Sequence, residues 1–133
     1  MMISMDDRIF TLGEANNLLP ELETKFTQIQ KARQFLYQIR GEIKKARDCV
    51  QANGGSPMGP AYLSALEYIM KQIEQIQLHG ILVKDLEKGL CDFPYMLDGR
   101  MVYLCWKLGE VDIQWWHETH TGYASRKPLD QED

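Results

Sequence analysis

Six residues in the C-terminal third of the chain carry side chains that could form a polar site. They combine two arginines, three carboxylates and one histidine, namely Asp92, Arg100, Glu110, His117, Glu118 and Arg126. Guanidinium groups bind carboxylate or phosphate oxygens, and an imidazole transfers protons near neutral pH. The set could therefore hold a small anionic ligand. The alternative is a group of ion pairs that fastens the C-terminal loop to a sheet, and such structural networks are common.

The run H-E-T-H at residues 117–120 resembles part of a metal-binding motif but has a different spacing. Histidines that bind zinc from one helix stand four residues apart, whereas these stand three apart. The first histidine and the glutamate of the run could join Asp92 around a transition ion, yet the pattern fixes no further ligand. Cys91 and Cys105 are not expected to help, because the hairpin predicted below directs them to opposite faces. The sequence therefore predicts no metal, no cofactor and no catalytic residue.

The composition is that of a single globular domain spanning residues 1–133. Of the 133 residues, 44% are hydrophobic and 26% are charged, with a formal net charge of −4. A chain of this length can bury a core without disulfides or metal. No apolar run reaches the ~18–20 residues that cross a bilayer. The three cysteines form no C-x-x-C pair, so a reducing cytoplasm is the simplest location.

Apolar residues recur every seven positions in the first part of the chain. This row consists of Ala15, Leu22, Ile29, Leu36, Ile43 and Val50. The spacing is typical of a long helix that packs at a shallow angle on another helix. Thr11 and Glu14 form a capping-box pattern at its start. Pro20 predicts a kink near residues 16–20 and no break in the helix.

A second helix follows a loop rich in glycine and proline at residues 52–60. Its apolar residues again follow a spacing of three and four, as Tyr62, Leu66, Ile69, Ile73 and Ile76. A short loop makes two long helices antiparallel neighbours. Residues 11–79 are therefore predicted to form a helical hairpin.

From Gly80 onward the apolar residues alternate, which is typical of β-strands. Asp98-Gly99 is a strong signal for a two-residue turn between strands at residues 90–95 and 100–107. Alternation then directs one set of residues toward the helices, namely Cys91, Phe93, Tyr95, Val102, Leu104 and Trp106.

The remaining segments are predicted less sharply. Residues 81–84 form a short strand, and residues 111–117 form either a fourth strand or a helical turn. Residues 80–124 are the β meander with a C-terminal loop, and residues 125–133 are a polar tail expected to fray. The fold class is thus α+β, with a long antiparallel two-helix hairpin followed by a small antiparallel three- to four-strand β meander.

Three blocks of residues resemble an uncharacterised bacterial family, the domain-of-unknown-function family 2203. They are F-T-L-x-E-A-N-x-L-L-P at 10–20, then G-I-x-V-K-D at 80–85 with G-L-x-D-F-P at 89–94, and finally D-G-R-x-V-Y-L-C-W-x-L-G-E at 98–110 with I-x-x-W-H-E at 113–118. The resemblance implies a small soluble bacterial protein and supplies no established activity. His120 stands where the family pattern leads us to expect an acidic residue, so a site built on that position would not be shared by the family.

The length of the first helix predicts a homodimer. About 40 continuous residues would give a helix roughly 60 Å long, which a small sheet cannot cover. We expect two hairpins to associate as a four-helix bundle.

Residues 31–47 are locally basic, with six cations and one glutamate. Only Phe35 and Tyr37 could stack on bases there, so nucleic-acid binding is not favoured. Ion pairs with Glu67, Glu74 or a second subunit are the expected role of these cations.

The favoured function is non-enzymatic, as a dimeric interaction protein or a small-ligand-binding protein with its site where the sheet meets the C-terminal loop. The alternative is a small hydrolase-like or metal-binding enzyme that uses His117, Glu118 and Arg126. An enzyme needs a concave pocket where these side chains converge. An interaction protein needs an exposed apolar patch.

Overall fold

The computed structural model describes residues 8–49 and 59–129, which form three α-helices followed by five β-strands. The helices are α1 (Leu12–Asn17), α2 (Leu19–Cys49) and α3 (Gly59–Leu78). The strands are β1 (Leu82–Asp85), β2 (Leu90–Leu97), β3 (Arg100–Lys107), β4 (Trp115–His117) and β5 (Lys127–Pro128), with a 3₁₀ turn at Tyr123–Ser125. The α+β fold class is confirmed.

The helical part begins with the capping box predicted at Thr11. Its hydroxyl accepts a hydrogen bond from the Glu14 amide at 3.0 Å, and the Glu14 carboxylate accepts one from the Thr11 amide at 2.9 Å. The expected kink without a break is wrong, because the helix is interrupted at Leu18. Pro20 has no N–H to donate to the carbonyl of Asn16. It is tolerated in the first turn of α2, where such donors have no helical partner.

α2 and α3 pack as the predicted antiparallel hairpin. Lys25 Nζ donates to Gln75 Oε1 at 2.6 Å, and His79 Nε2 lies 3.0 Å from Glu21 Oε2. At about 1.5 Å per residue, the 31 residues of α2 extend about 46 Å and the 20 residues of α3 about 30 Å. The predicted loop falls outside the described residues except for its last two positions, which begin α3.

The five strands form one antiparallel meander in the order β1-β2-β3-β4-β5. Leu97 and Arg100 close the central hairpin. Between them Asp98 has a φ of 52° and Gly99 a φ of 86°. Two successive residues of positive φ make the tight turn whose twist matches that of the strands. The predicted turn and register are confirmed.

The C-terminal segment is more ordered than expected. Residues 115–117 are a strand, and Lys127 pairs opposite Trp116 in the added strand β5. The Leu129 amide donates to the Gln114 carbonyl at 2.8 Å, and the Leu129 side chain packs on the core. The expectation of a frayed tail is therefore wrong for residues 125–129, because β4 offers them an unpaired edge and the core offers an apolar contact. Residues 130–133 lie outside the described part of the chain.

The core lies between the sheet and the helical segments nearest to it. Its fully buried members include Leu22, Phe26, Ile29, Ile76, Phe93, Leu104 and Trp106. Burying one such side chain contributes roughly 1.5–3 kcal/mol. Phe10 and Phe93 meet edge to face with ring centroids 5.2 Å apart. This core fixes the sheet on which the candidate site is built.

Candidate functional site

Three polar side chains from adjacent strands meet on the sheet face that points away from the helices. Asp92 pairs directly opposite Cys105, and His117 pairs opposite Tyr103. Paired residues in antiparallel strands share a face. The ligand atoms of Asp92, Cys105 and His117 all lie within 4.8 Å of one another, and the three residues are 1%, 1% and 3% exposed. We call these three residues the Asp–Cys–His cluster.

The hydrogen bonds of His117 define its tautomer. Its Nδ1 lies 2.8 Å from the backbone carbonyl oxygen of Glu118. A carbonyl oxygen only accepts, so Nδ1 carries a hydrogen. Its Nε2 lies 3.1 Å from Asp92 Oδ2, and one proton is shared between these two atoms. Both ring nitrogens are therefore occupied.

Burial raises the pKa of Asp92, and the neighbouring His117 and Lys84 partly oppose this rise. Lys84 Nζ lies 3.8 Å from Asp92 Oδ2, and its side chain is 44% exposed. The carboxyl group is therefore the buried end of a short chain of polar contacts that reaches the surface at Lys84.

Cys105 is a neutral thiol in this arrangement. Burial raises its pKa to about 12, although Arg126 Nη1 lies 3.9 Å from its Sγ. A thiol becomes a good nucleophile only as its thiolate. No nitrogen of His117 is free to take its proton, so the cluster lacks the arrangement of a cysteine–histidine nucleophile.

Arg126 ties the C-terminal segment to the sheet. Its Nη2 lies 2.9 Å from Glu110 Oε2, and its side chain is only 13% exposed. The guanidinium carbon lies 4.8 Å from the ring centroid of Trp115 and 4.3 Å from that of Tyr123. The Glu110 carboxylate also accepts from the Lys107 amide at 2.9 Å. Arg126 is thus bonded to a fixed carboxylate and stacked on aromatic rings.

Arg100 and Glu118 form a separate two-point ion pair. Arg100 Nη2 lies 2.5 Å from Glu118 Oε2, and Arg100 Nε lies 3.2 Å from Oε1. The hydrogen bond from Arg100 holds the pKa of Glu118 below its usual value. Lys127 Nζ lies 3.9 Å from the same carboxylate.

The six residues predicted from the sequence are therefore arranged as three hydrogen-bonded pairs. His117 pairs with Asp92, while Arg126 pairs with Glu110 and Arg100 with Glu118. An anionic ligand would have to displace a carboxylate from either arginine. Each of the two arginines is thus already paired with a carboxylate of the same chain.

The expectation that Cys105 would not join Asp92 and His117 is wrong, because the opposite faces of Cys91 and Cys105 exclude only Cys91 from this group. The alternation of β2 and β3 does place Cys105 beside Asp92, which could be predicted. Its approach to His117 depends on the pairing of β3 with β4, and the sequence left residues 111–117 open between strand and helical turn.

A cavity of about 540 Å³ lies beside this region, between the start of α1 and the C-terminal segment. Its walls include Leu12, Asp112, Ile113, Gln114, Trp115, Pro128 and Leu129. None of the six predicted residues lines it, so this cavity does not supply the concave pocket that the enzyme hypothesis requires.

Comparison with known proteins gives a family and no activity. A family of uncharacterized conserved proteins, DUF2203, matches residues 8–129. No curated protein and no solved structure matches the chain. Within residues 8–49 and 59–129, no helix has both the length and the apolar character needed to cross a membrane. Because the family match covers nearly all of the sequence, the chain belongs to DUF2203.

Proposed function

We propose that this member of the DUF2203 family is a cytoplasmic homodimer that acts through interaction and not through catalysis. Its interaction surface is the distal end of the hairpin, which we define as residues 33–49 of α2 and 59–70 of α3. The observation that carries this proposal is the concentration of exposed apolar side chains there. They are Phe35, Tyr37, Leu63, Leu66, Tyr68 and Met70, each 37–61% exposed.

The apolar row of α2 is more deeply buried near the sheet than at the distal end. Leu22, Ile29 and Ile76 are all fully buried, whereas the distal members of the sevenfold row, Leu36 and Ile43, are only half-buried. Exposed apolar side chains grouped at one end of a molecule are typical of a surface that a partner covers.

The distal end also contains a groove of about 1060 Å³ between α2 and α3. Its lining mixes apolar and cationic side chains, among them Tyr37, Arg40, Ile43, Lys44, Tyr62 and Leu63. A lining of both apolar and polar side chains is also found in protein interfaces.

Charge favours a second copy of the chain as the occupant. Arg40 lies on α2, while Glu67 and Glu74 lie on α3, and all three are exposed. Among the described side chains these three form no ion pair. In the two-fold dimer that we propose, α2 of each chain lies against α3 of the other, which would pair basic with acidic residues.

Helix length points to the same assembly. α2 exceeds α3 by about 16 Å at 1.5 Å per residue, so within the described residues part of α2 extends beyond α3. Two such hairpins side by side form a four-helix bundle with short connections.

Light scattering coupled to size exclusion tests this proposal. We expect twice the 15.5 kDa chain mass at low micromolar concentration. The double substitution Leu63→Glu and Met70→Glu should give a monomer, because it places two charges in the dimer interface. Leu78→Glu is the matched control, since Leu78 is 56% exposed on the same helix near the sheet. This variant should remain a dimer.

A wild-type protein that stays at the mass of one chain at every accessible concentration would refute the proposal. Retention on an anionic resin by a monomer, lost on adding salt, would instead indicate an acidic partner for the basic face of α2.

A further inference from the structure

We propose that the Asp–Cys–His cluster binds one divalent transition-metal ion of the zinc class. This inference is independent of the proposed dimer, because the cluster lies on the sheet face away from the helices. Nitrogen, sulfur and carboxylate oxygen are the donors that zinc takes in proteins. Here one of each converges within 4.8 Å.

The position of each donor is set by the sheet and not by a loop. Asp92, Cys105 and His117 lie on β2, β3 and β4, whose pairing fixes their Cα positions. Zinc–ligand bonds of about 2.0–2.3 Å in tetrahedral geometry separate neighbouring donors by roughly 3.3–3.8 Å. The cluster therefore needs only small side-chain adjustments to close around an ion.

The orientation of His117 is the one found in metal sites. A metal-binding histidine usually donates its other ring N–H to a backbone carbonyl or carboxylate, which fixes the ring. In this protein Nδ1 donates to the Glu118 carbonyl at 2.8 Å, and Nε2 faces Asp92 and the cluster interior. Nε2, which would bind the metal once the proton shared with Asp92 has left, thus already points inward.

The charges of the Asp–Cys–His cluster are also compatible with a buried divalent cation. Binding would replace the thiol hydrogen of Cys105 and the proton shared by Asp92 and His117. Two protons leave as one divalent cation enters, so the cluster stays neutral and no net charge is added to a buried site.

Two neighbouring cations shape the site. Arg126 Nη1 lies 3.9 Å from Cys105 Sγ and is held in place by Glu110, so it can donate to the metal-bound sulfur from outside. Lys84 lies beside Asp92 but is 44% exposed, so it can turn toward water when the ion binds. Three protein ligands leave a fourth position for water.

Cobalt titration of tag-free, metal-depleted, full-length protein tests the site. We expect one Co²⁺ per chain, with a thiolate-to-cobalt charge-transfer band in the near ultraviolet that zinc abolishes by displacement. Cys105→Ser should lose this band, and His117→Gln should weaken binding at least tenfold.

Two control variants match these substitutions. Cys91 is also a buried cysteine but is predicted and observed on the helix-facing side of the sheet, and His120 is an exposed histidine of the same segment. Cys91→Ser and His120→Gln should bind cobalt as the wild type does. A charge-transfer band that persists in Cys105→Ser, or none in the wild type, would overturn the proposal.

A second measurement does not depend on any variant folding. X-ray absorption at the zinc edge of the loaded wild-type protein should show one sulfur among the zinc ligands, with nitrogen or oxygen as the rest. A shell of nitrogen and oxygen alone would exclude Cys105 and refute the site as described.

Discussion

The sheet end of the molecule and the distal end of the hairpin use the same apolar row in different ways. Near the sheet, Leu22 and Ile29 are fully buried, because strands cover the face that α3 leaves open. At the distal end, Leu36 and Ile43 are half-buried, and among the described residues α3 is the one helix beside them. A regular apolar row thus predicts that one face of a helix is buried by a neighbour. It does not predict which neighbour buries each part of that face.

The charged residues differ between the two regions in the same way. At the sheet end Arg126 and Arg100 each contact a carboxylate. At the distal end Arg40 contacts none among the described side chains. Among the described side chains, Arg126 and Arg100 are thus paired within the chain, whereas Arg40 is not.

Truncating one leucine in each region should give the largest contrast. Leu104 is 0% exposed beneath the sheet and Leu63 is 59% exposed. Leu104→Ala should lower the free energy of unfolding by about 2–5 kcal/mol at every protein concentration. Leu63→Ala should change the monomer by less than about 0.5 kcal/mol. Urea denaturation measures both changes. Equal losses of unfolding free energy in dilute protein would mean that the two leucines are equally important to the fold of one chain.

Replacing one glycine by alanine in each region should change the stability of the protein in opposite directions. A Cβ on Gly89, where φ is +65°, would come within 2.5 Å of Leu108 Cβ. Gly89→Ala should therefore destabilise the protein by about 1–3 kcal/mol. A Cβ on Gly41 in α2 meets nothing within 4 Å, so Gly41→Ala should stabilise the monomer by roughly 0.5–1 kcal/mol. Thermal unfolding in dilute protein checks both signs, and a stabilising Gly89→Ala would contradict the described turn.

Replacing Arg126 or Arg100 should give the smallest changes in the free energy of unfolding. The two changes should differ, because the ion pair of Arg126 is mostly buried and that of Arg100 is exposed. Arg126→Ala loses a hydrogen-bonded carboxylate and two aromatic contacts, and should cost about 1–2 kcal/mol. Arg100 is 53% exposed in its side chain, and solvent screens its pair, so Arg100→Ala should cost less. Chemical denaturation at low and high salt measures the difference. A larger loss for Arg100→Ala would mean that the C-terminal segment is held differently.

Local sequence signals predict most of the fold. The turn at Asp98-Gly99 fixes its own hairpin because the positive φ values and the strand twist are properties of a few adjacent residues. The capping box at Thr11 is local for the same reason. The sevenfold spacing predicts a helical hairpin because it requires only the period of a helix.

Features that depend on distant pairing are not predictable in this way. Strand β5 exists because Lys127 finds the open edge of β4, although the composition of residues 125–133 is that of a polar tail. The position of Cys105 beside His117 likewise depends on the β3–β4 register. The interruption at Leu18 shows a further limit, since the apolar period continues across it.

Amide hydrogen exchange at several protein concentrations tests most directly whether a second copy covers the distal end. In a dimer formed through the distal end, exchange of residues 33–49 and 59–70 slows as concentration rises, while exchange of β2 and β3 does not change. Exchange at the distal end that is independent of concentration, or protection gained only in the sheet, would contradict the proposed dimer.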